Sequence, residues 1–196
     1  YTAINGDVAG GIAIVNQLTA LIGQMAPHDV ARVLNTLGRL TSMSGQHEQA
    51  ELYYRNAVSK SAEIPISADW TFKDKATVLN NLASMMVERG RIYEAEPLFY
   101  QATEIITNAG LAHSSLRANI LDGLGEIYRA QYLYSEAYKA QKQALNIRLD
   151  LLPQSHASIG VSYSNIGLTL MHNGDFKIAA NAFNKALNIQ RQNGDK

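Results

Sequence analysis

Five histidines, two carboxylates one helical turn apart and a lone Gly-x-Gly are the chain's candidates for chemistry, and each reads better as structure. The histidines (His28, His47, His113, His156, His172) show neither HExxH nor any other metal-ligand spacing. His47 shares a repeated position with Ile92, Tyr134 and Phe176 and is expected in the core or a turn, whereas His172 falls near the face a ligand would use. Asp122 and Glu126 could chelate a cation, but such i, i+4 pairs are common on helix surfaces. Gly123-Leu124-Gly125 lies in a helical run, where close packing explains it without a nucleotide. Most tyrosines, among them Tyr53, Tyr54, Tyr93, Tyr100, Tyr128, Tyr132, Tyr134, Tyr138 and Tyr163, fall on inter-helix packing positions. An enzyme needs a convergent acid, base or nucleophile. The expectation is no catalytic residue, no metal and no cofactor.

What positions these residues is a repeat. Leu37-Gly38 is followed by Gly45, Ala50 and Ala57, and the pattern returns at Ala83, Gly90, Ala95 and Ala102. It returns again at Gly125, Ala137 and Ala144, and at Gly167, Gly174, Ala179 and Ala186. Large apolar residues flank each anchor at helical spacing: Leu34 and Leu37, Leu79 and Leu82, Leu121 and Leu124, Tyr163 and Ile166. Two helices approach closely only where side chains are small, so Gly38, Ala83, Gly125 and Gly167 mark a crossing inside each hairpin. Glycine inside a helix costs about 1 kcal/mol against alanine, and its recurrence at one register position asks for a packing reason. Gly45, Gly90 and Gly174 suit a left-handed helix stop. Tyr132 takes that place in the third unit and suggests a differently shaped turn.

This pattern resembles the tetratricopeptide repeat: Leu-Gly, a glycine stop, an apolar or aromatic residue, then Glu94-Ala95 or Glu136-Ala137. The common form has a period of 34 residues. Here successive anchors lie 45, 42 and 42 residues apart, which resembles the repeats of kinesin light chains and many bacterial relatives. The resemblance covers 28–192 and implies an all-α, right-handed superhelical solenoid of antiparallel helix pairs. Four full repeats are expected (26–66, 67–110, 111–153 and 154–196). The stretch from Asn5 aligns with that from Asn173, so 1–25 reads as the second helix of a truncated preceding repeat. With no polar cap expected after the last repeat, the chain reads as a fragment or as one whose ends are covered. Pro65 and the extra residues near 64–69 widen the first gap, and Trp70, the sole tryptophan, is expected to plug it.

Composition narrows the partners. Apolar residues make up 46% of the chain, enough for a continuous core, while charge is low at 17% and balanced. Nothing therefore points to nucleic acid or an anionic membrane. No basic region precedes an apolar run at the amino terminus, and the Ile12–Ile22 run is too short and polar to span a bilayer. A cytoplasmic location is the expectation. No cysteine is present, which removes disulfides and thiolate metal sites.

The resemblance implies that the first helix of each pair lines a concave face. Residues six and three before each anchor and one after it then face a partner: Arg32, Asn35 and Arg39; Thr77, Asn80 and Ser84; Asn119, Asp122 and Glu126; Val161, Ser164 and Leu168. Asn81 and Asn165 add amides that donate and accept, suited to a peptide backbone. The sign of charge runs from basic to acidic along the array, so a partner's acidic portion is expected near Arg32 and Arg39 and its basic portion near Asp122 and Glu126; the alternative is a solvated helix face on which Glu126 pairs with Arg129. A clamp for a terminal carboxylate is not matched, because no asparagine follows an anchor and only Arg32 supplies a cation at the required positions. The functional expectation is a protein-interaction scaffold holding a peptide or protein segment in its groove. A peptide-sensing regulatory domain, and a homo-oligomer formed through the terminal helices, are the alternatives.

Overall fold

The computed structural model describes residues 14, 17, 22–67 and 70–194. Among these every regular element is helical. A 3-10 turn at Ile22–Gln24 precedes α1 (Pro27–Met43), α2 (His47–Glu63), α3 (Phe72–Glu88) and α4 (Ile92–Asn108). Then follow α5 (Ser115–Ala130), α6 (Tyr134–Leu151), α7 (Ala157–His172) and α8 (Phe176–Gly194). The unpaired helix expected over 1–25 falls almost wholly outside the described residues; of it, Ile14 and Gln17 are helical and exposed.

Local chemistry sets the ends. Pro27 opens α1, where its missing N–H costs nothing, with Asp29 beside the positive end of the helix dipole. Thr71 and Asp74 cap α3 reciprocally: the Thr71 hydroxyl accepts from the Asp74 N–H, and the Asp74 carboxylate accepts from the Thr71 N–H. Ser114 and His156 accept the early N–H groups of α5 and α7. Each hairpin turn is closed by one hydrogen bond of the same kind, from Gln46, Arg91, Leu133 and Asp175 back to the carbonyls of Thr41, Met86, Tyr128 and Leu170. The third turn is therefore not differently shaped. Tyr132 holds φ at +63°, beside +78°, +73° and +90° for Gly45, Gly90 and Gly174. Tertiary packing imposes a conformation that a side chain resists.

The hairpins close over their anchors. A Cβ on Gly38 would lie 2.7 Å from the Tyr54 ring, one on Gly167 equally near Phe183, and one on Gly125 equally near Gln141. The second unit solves the problem differently. Its anchor is Ala83, and the matching ring, Phe99, presses instead on Gly123 of the next unit, where a Cβ would overlap it. So the Gly123-Leu124-Gly125 motif serves packing on two sides.

Stacking builds the core. Each second helix lies against the next first helix, and α1 also touches α3, α3 touches α5 and α5 touches α7. No comparable contact among the described residues joins one second helix to the next. The first helices are thus crowded together and the second helices splayed, which makes the first-helix side the concave one. Trp70 is fully buried with Val30, Ala31, Leu34, Ala57, Ile64 and Val78, filling the widened first gap. The slot after each turn is only partly covered: Ile92 packs half-buried against the core and Tyr134 is half-buried, whereas His47, the first residue after its turn, and Phe176, at 69%, are exposed. Most of the tyrosines do pack between helices: Tyr54 is buried and Tyr53, Tyr128, Tyr138 and Tyr163 lie half-buried against the core clusters, whereas Tyr93 and Tyr132, at the turns, are 80% and 78% exposed.

Candidate functional site

The concave side carries three groups of the expected residues, and each has a different fate. In the first two units the amides form a ladder. Asn81 Nδ2 donates to Asn35 Oδ1 at 3.0 Å, and Asn80 Nδ2 donates to Asn81 Oδ1 at 3.3 Å. Asn80 is buried, and its own Oδ1 has no hydrogen-bond partner among the described residues. A buried amide oxygen without a partner costs roughly 1–3 kcal/mol, and such a group is either tolerated by the surrounding packing or completed by a ligand. Arg32 does not face the groove as an available cation. It forks onto Asp74 at 3.2 and 3.4 Å and lies 5.6 Å from the Trp70 ring centre, tying α1 to α3.

In the third unit the expected acidic surface is largely internal. Asp122 has a side chain only 12% exposed, salt-bridged to Arg148, which is 7% exposed. Arg148 also reaches Ser162 Oγ and, through Nη2, Asn119 Oδ1 at 2.8 Å. Burial pushes the Asp122 carboxyl up, against the opposing pull of Arg148. Asp122 and Asn119 are thus parts of a clasp between the third and fourth units, and this corrects their placement as a free partner surface. Arg148 itself was missed, because it lies on a second helix. A signal existed: Ser61 and Ile106 hold the same repeat position and are buried, so an arginine there needs an acid facing it.

Glu126 behaves otherwise. It is half-buried on the same face of α5 and makes no hydrogen bond or ion pair among the described residues, Arg129 included. Burial pushes its carboxyl up, with Asp122 and Glu88 adding to the rise and Arg129 opposing it. Arg129 Nε is buried as well, with no hydrogen-bond partner among the described residues. Thr77 bonds back to the Lys73 carbonyl at 2.7 Å, a contact within its own helix. Ser84, Asn165 and Leu168 are half-buried, and Arg39 is exposed. His172 is exposed and stacks on Tyr134, ring centres 6.2 Å apart. No group of three or more His, Asp or Glu among the described residues is placed to hold a metal ion. No described helix is long and apolar enough to cross a membrane.

An all-α stack of hairpins with a polar concave side defines a helical-repeat solenoid. Tetratricopeptide-repeat profiles match residues 74–150 and 161–193, together more than half of the sequence. The chain belongs to the tetratricopeptide-repeat family, whose members are protein-interaction scaffolds. Comparison with curated protein sequences gives no match. Among solved structures the fold is similar to BtubC (BKLC) from P. vanneervenii, with a TM-score of 0.76 and 21% identity over 97% of this chain and 76% of that one. It is also similar to the nearly identical TPR-like repeats of Podosopora anserina assigned to a kinesin light chain (TM-score 0.69, 19% identity, 96% and 90% covered). A Rap protein complexed with Competence and Sporulation Factor matches with a TM-score of 0.79 and 18% identity over 92% of this chain, which spans 48% of that one.

Proposed function

We propose that the chain is a non-catalytic scaffold that holds an extended protein or peptide segment along the concave side of α1, α3, α5 and α7. The observation that carries this reading is Glu126. A half-buried carboxylate without a partner is a cost in the free chain and a ready contact for a cation, and groups kept in unfavourable settings cluster at functional sites. Asn35, Asn80, Asn81 and Asn165 would take backbone groups of the segment. Its basic residue would sit at Glu126 beside Glu88, and its acidic portion near Arg39. Thr77, Ser84, Leu168 and His172 would complete the lining. Asp122 is engaged inside the protein, which leaves Glu126 as the acidic end of the pattern.

Selection of binders from a random peptide library tests this. Peptides carrying a lysine or arginine are expected, and Glu126→Gln should weaken them about tenfold, as befits loss of one charge-assisted contact. Binders indifferent to both Glu126→Gln and Asn81→Ala would refute the groove.

A sensing role is the second reading, and one observation favours it. The units are joined on the concave side by the Asn35–Asn81 hydrogen bond and by Arg148, which reaches Ser162 of the next unit while holding Asn119 of its own, contacts that a peptide competing for the same amides would rearrange. A further alternative is self-association through α8, which exposes Phe176, Ile178 and Leu187. Light scattering that shows a monomer at high concentration would remove it.

A further inference from the structure

The splayed second helices leave grooves on the outer side, and one of them differs from its neighbours. Between α4, α5 and α6 lies a cavity of about 320 Å³ whose walls carry Thr103, Arg117, Lys139, Gln143 and Glu136. Arg117 Nη1 donates to Thr103 Oγ1 at 3.0 Å, and neither Arg117 nor Lys139 is paired with a carboxylate among the described residues. Burial draws the Arg117 guanidinium below its ordinary value, with no acid opposing the shift. An arginine half out of water normally has its fork filled. Here four of its five N–H donors make no hydrogen bond among the described residues, and the side chain lines a cavity with room for a small group.

The other two outer grooves act as internal controls. In the preceding one, Lys75 stands for Arg117, Val58 for Thr103 and Pro97 for Lys139. In the following one the equivalents are Ile159, Leu145 and Asn181, the first two buried in one apolar cluster. Two cations stand at these positions only in the middle groove, whereas the preceding one has Lys75 alone, with Glu104 in the same lining. Glu136 on the same wall reduces the local charge to one net positive, which suits a monoanion better than a phosphate dianion. A planar carboxylate also matches the guanidinium fork.

We infer that this outer groove is a carboxylate-binding site, taking the side chain of an aspartate or glutamate of a partner on Arg117, with Lys139 and Thr103 completing its contacts. It faces away from the concave side, so it would be a second, independent point of attachment.

The test is an NMR titration of the whole chain with N-acetyl-glutamate amide at constant ionic strength, with the glutamine analogue and inorganic phosphate as the other arms. The glutamate compound should shift the Arg117 Nε–H and the Thr103 and Lys139 amides along a saturable curve, and the glutamine analogue should not. Arg117→Gln should weaken binding about tenfold, read on the Thr103 and Lys139 amides. Should that variant unfold, Glu136→Gln on the exposed rim gives the opposite reading, a tighter curve for the same probe. Shifts that grow linearly without saturation, that survive Arg117→Gln, or that are larger for phosphate than for the glutamate compound would overturn the assignment. Arg39→Glu should leave the titration unchanged, which separates this site from the concave groove.

Discussion

Glu126 and Tyr132 are both held by the fold against their own preference. A carboxyl whose value in the folded chain lies above its ordinary 4.5 binds its proton more tightly when folded. Its contribution to stability is therefore greatest below about that pH and is lost as pH rises through the folded value. Glu126→Gln removes the titration. The variant should be more stable than the parent at neutral pH, and the gain should shrink as the solution is acidified below 4.5; urea unfolding at both pH values measures this. An equal effect at the two pH values would remove burial of the charge as its cause. Tyr132 carries a conformational cost instead. A left-handed non-glycine residue costs roughly 1–2 kcal/mol, of which the greater freedom of glycine in the unfolded chain returns about 0.5–1 kcal/mol. Tyr132→Gly should thus raise stability by about 0.5 kcal/mol in urea unfolding, less any loss of its edge contact with Tyr134. A clear drop would mean that the exposed ring matters more than the backbone.

At the scale of the helix, small residues decide how closely the hairpins close. Alanine in a helix is favoured over glycine by about 1 kcal/mol, whereas forcing extra volume into a packed contact costs about 1–3 kcal/mol. At Gly123 the Phe99 ring already occupies the space, so the second effect wins. Gly123→Ala should lower the thermal midpoint, and adding Phe99→Leu should recover part of the loss, a non-additivity that only contacting residues show. Independent, additive effects would contradict the contact.

The helices themselves were legible in the chain. The anchors and the alanines seven apart gave the pairing, because close approach leaves few choices of residue. Charged contacts were less legible. Asp122 has the right spacing for a surface acid, and nothing local shows that Arg148 will arrive from another helix. Tyr132 misled for a related reason: the turn is dictated by the packing of the two helices it joins, and its residue type follows only loosely. Arg117 shows the same limit, since its setting depends on Thr103 of a different repeat.

For the whole molecule, curvature is the consequence that bears on function. Crowded first helices and splayed second helices give one polar concave side with an amide ladder and an unpaired acid, and one outer side with separate grooves. The account rests on the concave side being where a partner chain lies. Amide hydrogen exchange of the whole chain, with and without a peptide selected for binding, tests it most directly. Added protection is expected along α1, α3, α5 and α7 and little on the second helices; protection confined to α2, α4, α6 and α8 would contradict it.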